Sequence, residues 1–461
     1  MEYRVVNPST GVTDDRTHST SDAELDQALG AAVGAGAIWR ERSASERAAS
    51  LRRAAELFRA DRAGLAEIAV REMGKPIGAA LGEVDLAARI FEYYGEAADD
   101  LLADMEIHSP LGTARVRAEA VGTILGIMPW NFPYYQVVRF VAPNLLLGNS
   151  ILLKPAPSCP ESAAAIERIL VEAGVTVGAY ATIYTSNDQT LGAIADDRVR
   201  GVSITGSERA GRAVAEAAGR ALKKCVLELG GSDALLVLDR DSLEQAAEEG
   251  VTARIANSGQ VCTSPKRMIV LDEFYDEFVA RAQSIVADVV VGDPSRPETQ
   301  MGPMSSETAA VGIAAQVEDA ISLGATAAGW RSPAGPTGAW LEPVVLTGIT
   351  PQMRAWYEEI FGPVVSIYRA ADEDDAVAIA NGTRYGLSAS IYSTSPEQRE
   401  RVARRLDVGM VFFNSTAISL PELPFGGTKS SGFGRELGLA GLTEFANMKL
   451  IHSVAAPGSA T

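Results

Sequence analysis

Cysteine and histidine are both scarce in this chain of 461 residues, with three of each. Cys159, Cys225 and Cys262 lie far apart and are odd in number, which excludes a disulfide framework and any paired-cysteine metal pattern, so no metal site is expected. His18, His108 and His452 fall outside every motif-rich segment, which removes Ser-His-Asp and Cys-His catalysis. No uninterrupted apolar run reaches membrane-spanning length, and the stretch Met1–Asn7 has no apolar signal core. The expected compartment is a reducing cytoplasm. Positive charge is also in deficit: 41 Lys and Arg stand against 59 Asp and Glu, for a net charge of −18. That argues against nucleic acid and anionic membranes as partners. It leaves an anionic small molecule open, because a local arginine overrides an acidic surface more than a Debye length away.

What is present is an ordinary globular composition, 47% hydrophobic and 22% charged, in a chain long enough for two or three domains. Residues 22–103 read as helical, with Ala48, Leu51, Ala55 and Phe58 at helical spacing, a second helix from Asp61 and a third from Val84 to Leu102. Thr113–Ala120 alternates like part of an exposed hairpin. From Val121 short apolar runs alternate with helical stretches. The strands are Thr123–Met128, Ser150–Leu153, Val202–Thr205, Cys225–Leu229 and Ala234–Leu238; the helices are Tyr135–Leu147, Glu161–Ala173 and Arg209–Ala221. This rhythm predicts an α/β fold with an open parallel sheet. A second α/β segment begins near Asp239, with strands at Met268–Leu271 and Val364–Tyr368. Asn447–Val454 reads as a strand without a local partner, expected to pair elsewhere, as with another subunit. Pro457–Thr461 is expected to fray.

Four segments carry chemistry. Asn257-Ser-Gly-Gln-Val-Cys262 sets a cysteine in a turn-forming context, where a thiolate can face a cleft as nucleophile; Cys159 and Cys225 fit a structural role better. Glu228 closes an apolar strand ahead of Gly230-Gly231, where a carboxylate can serve as general base or simply lie on the surface. Asn131, between prolines in Pro129-Trp-Asn-Phe-Pro133, is a fixed amide donor suited to an oxyanion, or an Asx-turn residue. Gly206-Ser-Glu-Arg-Ala-Gly211 opens a helix after a strand, as a pyrophosphate site does, although its spacing is not G-x-G-x-x-G.

Taken with Lys154-Pro-Ala156, Glu359-Ile-Phe-Gly-Pro363 and Pro424–Gly432, these segments follow the order found in the aldehyde dehydrogenase superfamily, which the chain resembles along nearly its whole length. The resemblance is strongest to the shorter bacterial succinate-semialdehyde dehydrogenases. It implies a Rossmann-like cofactor domain (1–101 and 121–235), a second α/β catalytic domain (236–440) and a small β oligomerisation element (102–120 and 441–461). It implies that Cys262 attacks the aldehyde, that Asn131 and the Cys262 N–H hold the oxyanion of the thiohemiacetal, and that Glu228 activates water against the thioester. Lys154 would contact the adenosine ribose, Gly206 and Ser207 the pyrophosphate, and Glu359 with Phe361 the nicotinamide ribose. Met128, Trp130 and Leu229 are assigned to the same cofactor cleft, and a homodimer or homotetramer is expected.

Two further residues bear on the substrate. Arg139, eight residues after Asn131, is expected near the cleft mouth, where a guanidinium could pair with a distal carboxylate; its competing reading is a surface helix arginine in an interdomain ion pair. Ser419 could add a hydroxyl donor. Both match the carboxylate-binding pair of succinate-semialdehyde dehydrogenases, whereas Ala256 stands where some of them have a second arginine, with Arg254 two residues away. Ser264 replaces a second cysteine found in some relatives, which excludes a vicinal disulfide. Pro157 and Ser158 follow Lys154 where NAD-preferring relatives often carry glutamate, so the expected cofactor is NADP, with NAD also used. The rivals are oxidation of another aliphatic or aromatic aldehyde, transfer of the acyl group to coenzyme A, and a non-catalytic binding protein that retains the fold.

Overall fold

The computed structural model describes residues 2–14, 17–335 and 337–454. The fraying expected at 457–461, and the last residues of the expected oligomerisation element, lie outside them. Parallel strands need crossover connections, and the alternation of apolar runs with amphipathic helices supplies them. The first sheet has six strands in the spatial order Gly432–Phe433, Lys224–Glu228, Val199–Thr205, Thr123–Ile127, Ser150–Lys154 and Tyr180–Thr182. All run parallel except Gly432–Phe433, which lies antiparallel on Lys224–Glu228. Its central strands are buried along their length, as helices on both faces require.

The second sheet has seven strands, in the order Thr326–Ala328, Val344–Thr347, Val364–Ala370, Pro265–Leu271, Asp233–Val237, Ser388–Tyr392 and Met410–Phe413. Asp233–Val237 corrects an expectation. The run Ala234–Leu238 was read with the first sheet, yet it pairs in parallel with Pro265–Leu271 and Ser388–Tyr392. The chain changes sheets at Gly230-Gly231, so the passage precedes the expected 235/236 boundary. A fully buried parallel strand carries no mark of which sheet it joins, and only the glycines gave the crossing away.

Two other expectations shift. The helix read as Val84–Leu102 begins earlier, at Ile77 after Pro76, and ends at Glu96; Ala98–Leu101 is a separate turn of helix. The terminal strand Ala446–Val454 finds a partner in its own chain, pairing antiparallel with Gly112–Ala120, which also pairs with Met105–Ser109. Sequence separation hid that partner. A helical layer of Ala44–Ala60, Arg62–Met73, Ile77–Glu96 and Tyr135–Leu147 packs through Leu51, Phe58, Phe91 and Tyr134. No helix among the described residues is long and apolar enough to cross a membrane.

Candidate active site

Four neighbouring strands of the first sheet end side by side: Thr205 and Glu228 close their strands, Met128 follows Ile127, and Lys154 closes the fourth. Ligands bind beyond the carboxyl ends of such strands. A cavity of about 270 Å³ opens there, lined by Trp130, Asn131, Gln136, Thr205, Gly206, Ser207, Glu228, Leu229, Cys262, Glu359 and Phe361 among others. Most of the expected catalytic and cofactor residues meet in it. Met128, Lys154, Pro157 and Ser158 are not among its lining residues. Met128 N–H donates to the Lys154 carbonyl (3.0 Å), and Pro157-Ser158 forms the turn after the Lys154 strand.

The cysteine arrives on a strained turn. After the helix Leu243–Ile255, Asn257, Ser258 and Gly259 all take left-handed backbone angles, with φ of 52°, 56° and 73°. Strain of this kind persists only where the surroundings fix it. Here Asn257 Nδ2 donates to the Asn131 carbonyl (3.0 Å), and Ser258 Oγ reaches the Gly302 and Pro303 carbonyls (2.9 and 3.1 Å). A side chain at 259 would run into the Gly362 carbonyl. Arg254, wholly buried, donates to the carbonyls of Val364 (2.8 Å), Gly259 (3.0 Å) and Ile360 (2.7 Å) and to Ser264 Oγ (3.0 Å). It pins the loop and does not face substrate. The Cys262 thiol reaches the cavity. Burial pushes it up to about 11, against the downward pull of Lys266 and Arg139, so the resting nucleophile is a thiol.

Asn131 is held from the other side. Glu83 Oε1 accepts from the N–H groups of Tyr134 (2.8 Å) and Tyr135 (3.1 Å) at the start of the helix Tyr135–Leu147. Buried Lys75 pairs with Glu83 and lies 3.8 Å over the Phe132 ring. The Asn131 amide donates to the Gln260 carbonyl (3.0 Å); an amide nitrogen has two N–H donors, which leaves one for a ligand oxygen.

Glu228 contrasts with all of this. It is 1% exposed, and neither carboxylate oxygen has a hydrogen-bond partner. Burial pushes its carboxyl well above the ordinary range, with Arg139 pulling down and Glu436 pushing up. Glu359 Oε1 accepts from Gly231 N–H (3.1 Å) and sits 3.3 Å from Lys266 Nζ, while a side chain at Gly230 would strike Glu359 Oε2. Close approach therefore explains the glycine pair. Phe361 and Trp130 meet edge to face at 6.0 Å. Ser207 caps the helix Glu208–Arg220, whose N-terminus opens beside Gly206. Lys154 donates to its neighbour's carbonyl, Pro155 O (3.2 Å), and lies 5.5 Å over the Tyr3 ring, and burial brings it down to about 8.

Arg139 does not lie at the cleft mouth. It is fully buried in an ion pair with Glu436, and its other nitrogens donate to Tyr135 Oη (3.2 Å) and Thr205 Oγ1 (3.3 Å). Its stem faces inward because Phe425 and Tyr135 cover the guanidinium, at 4.2 and 5.1 Å. An ion pair is present, but the residue is wholly buried and not on the surface, so neither expectation for it holds as stated. Tyr135 Oη–H donates in turn to Ser419 Oγ (2.9 Å). The chain of donors thus runs from Arg139 through Tyr135 to half-buried Ser419, and neither Arg139 nor Ser419 is among the residues lining the cavity.

Sequence reading missed Gln136, Thr205, Glu436 and the part played by Lys266. Gln136 is a polar residue on a helix that is otherwise nearly all apolar, 1% exposed, with Oε1 unpartnered on the cavity wall. That mismatch was the available signal. Nothing in the sequence pairs Glu436 with Arg139, 297 positions apart by subtraction of their numbers.

Known proteins resemble this chain along nearly its whole length. The model of the aldehyde dehydrogenase family matches residues 1–451. The NADP(+) succinate-semialdehyde dehydrogenase of Deinococcus radiodurans is 48% identical over 452 residues, covering 98% of this chain and 94% of that protein. A succinate-semialdehyde dehydrogenase of Mycobacterium tuberculosis, also NADP(+), is 39% identical over 458 residues, covering 98% and 99%. The crystal structure of succinic semialdehyde dehydrogenase from Streptococcus pyogenes in complex with NADP+ superposes with a TM-score of 0.95 at 41% identity, covering 98% of this chain and 100% of that one.

Proposed function

The chain belongs to the aldehyde dehydrogenase family, and from that premise we propose that it oxidises succinate semialdehyde to succinate with NADP as its preferred cofactor. The observation that carries the chemistry is the meeting of Cys262, Asn131 and Glu228 in one cavity with Gly206, Glu359 and Phe361.

The residues fit a dinucleotide. The helix N-terminus behind Gly206 and Ser207 suits a pyrophosphate, and Glu359 suits ribose hydroxyls. Among the described residues Lys154 has no carboxylate partner, and it sits beside a turn, Pro157-Ser158, that has no acidic side chain to repel a 2′-phosphate. When bound, the nicotinamide supplies the acceptor for a hydride. The protein's own residues do the rest. The Cys262 thiol loses its proton to solvent and its sulfur bonds to the aldehyde carbon, the carbonyl π pair moves onto oxygen, and the free N–H of Asn131 with the Cys262 backbone N–H receives that oxyanion. After hydride loss the carbon is a thioester of Cys262. Glu228, once ionised, takes a proton from water as the water oxygen attacks that carbon, and the thiolate leaves.

The preference for a distal carboxylate rests on the donor chain that ends at Ser419. Each hydroxyl in it accepts from one side and donates to the other, so the Arg139 charge polarises the Ser419 O–H without leaving its own ion pair. We also assign the three-stranded sheet built from 105–109, 112–120 and 446–454 to assembly as a homodimer or homotetramer, and the enzyme to the cytoplasm.

Initial rates with succinate semialdehyde and butanal, each with NADP and with NAD, test this reading. A kcat/KM for the semialdehyde well above that for butanal is expected, and Ser419→Ala should lower it about fivefold to tenfold through KM while sparing butanal. Equal efficiencies would leave a general aldehyde oxidiser.

A further inference from the structure

Lys266 opens the strand behind the nucleophile and is 3% exposed. An ammonium has three donors, and three acceptors surround this one. Nζ donates to the Val261 carbonyl at 2.8 Å and to the Cys262 carbonyl at 2.6 Å, and lies 3.3 Å from Glu359 Oε1. Two of its partners are the nucleophile's own peptide and its neighbour; the third is the carboxylate placed for the cofactor ribose. Among the described residues no other side chain hydrogen-bonds to or ion-pairs with both. Arginine could not replace it, because a planar fork cannot converge on three acceptors around a point.

We propose that Lys266 is a positioning residue that couples cofactor binding to the nucleophile: one buried ammonium holds the Cys262 peptide and the Glu359 carboxylate together, so that what Glu359 binds is felt at the thiol. The proposal rests on the assignment of Glu359 to the cofactor. When ribose hydroxyls donate to Glu359, part of the carboxylate's negative charge is taken up by them, and Lys266 acts more strongly on Cys262. The charged groups that act most on the thiol are Lys266, Arg139, Asp233 and Glu359, with Glu228 on the same cavity wall and the Tyr135 hydroxyl also within its field. Lys266 and Arg139 favour the thiolate, whereas Asp233 and Glu359 oppose it. Asp233, buried below Lys266 and bonded to Ser388 Oγ, is pushed up to about 7 by burial. Around neutral pH its charge is partial, and of the four Lys266 acts on the thiol most strongly, ahead of Arg139.

The test is the pH dependence of Cys262 alkylation by iodoacetamide in the full-length protein, with and without saturating NADP, together with NADP affinity from fluorescence. In the wild type, NADP should lower the alkylation midpoint. In Lys266→Met the free-enzyme midpoint should rise by about one pH unit, the NADP-induced shift should vanish, and the KM for NADP should rise about tenfold. Lys266→Arg keeps the charge and serves if the methionine variant does not fold; it should lose the NADP-induced shift as well. A variant that keeps both the midpoint and its response to NADP overturns the proposal, and so does a wild-type midpoint that NADP leaves unmoved. Glu359→Gln separates the underlying assignment: unchanged NADP affinity in that variant refutes the cofactor role of Glu359, whatever Lys266 does.

Discussion

The nucleophile and the base stand at opposite extremes of restraint. Around Cys262 the backbone is forced into three consecutive left-handed residues and then tied down by Arg254, Asn257, Ser258 and Lys266. Glu228, across the same cavity, has both oxygens without a partner. The atom that must meet a carbonyl carbon along a defined line is fixed in advance, which lowers the entropic part of the barrier. The group that must shed one proton and take another is left unbonded, because each hydrogen bond to its ionised form would lower its basicity.

The sharpest break in this contrast is chemical. Cys262→Ala should lower aldehyde oxidation by about 10⁴-fold or more, since no other group on the cavity can form the covalent intermediate. A steady-state assay with excess cofactor checks it, and a residual rate within tenfold of wild type would refute the nucleophile. Glu228→Gln should cost less, about 10² to 10³ in kcat. Its first turnover of reduced cofactor should stay near the wild-type rate, because hydride loss precedes the step that needs the base; stopped-flow absorbance distinguishes the two steps. In the wild type the same base must be ionised, so the hydrolytic step should gain with rising pH through a midpoint well above ordinary carboxylates.

Loosening the restrained side should show in stability before chemistry. Arg254→Met abandons three carbonyls and a hydroxyl, and should cost about 3 kcal/mol in denaturant unfolding. A loss under about 0.5 kcal/mol would mean that the loop holds itself. The gentlest probe leaves the sequence intact: with the thiol held up to about 11, alkylation of Cys262 should rise about tenfold per pH unit from neutral upward. A plateau near neutral pH would show a thiolate already formed.

Local pattern carried most of the fold. The strands from Thr123 to Glu228 and the helices between them were legible because parallel strands buried on both faces are uniformly apolar and their crossovers keep a helical period. The same uniformity misplaced Ala234–Leu238, since burial on both faces looks alike in either sheet. Cys262 and Asn131 stood out by their turn-forming neighbours and Glu228 by its place at a strand end before two glycines, and it was the order of all the segments together that joined them into one expected site. Arg139 was legible as an unusual residue but not as an oriented one. Its direction is set by Glu436 and Phe425, which no local pattern ties to it. Lys266 and Gln136 act through their neighbours in space, so their roles needed coordinates.

The short strand Gly432–Phe433 has a consequence for how the enzyme is made. Gly432 pairs with Glu228 itself, and Ser431 O accepts from Leu229 N–H at 2.9 Å. Chains emerge from the ribosome amino end first and fold as they do, so Glu228 is synthesised long before the segment that walls it in. Until that segment arrives, the edge of the first sheet is bare and the carboxylate lies open to water. A truncation ahead of Pro424 should therefore leave Glu228 without the strand that pairs with it and lower the hydrolytic rate, which a steady-state assay of the shortened chain checks.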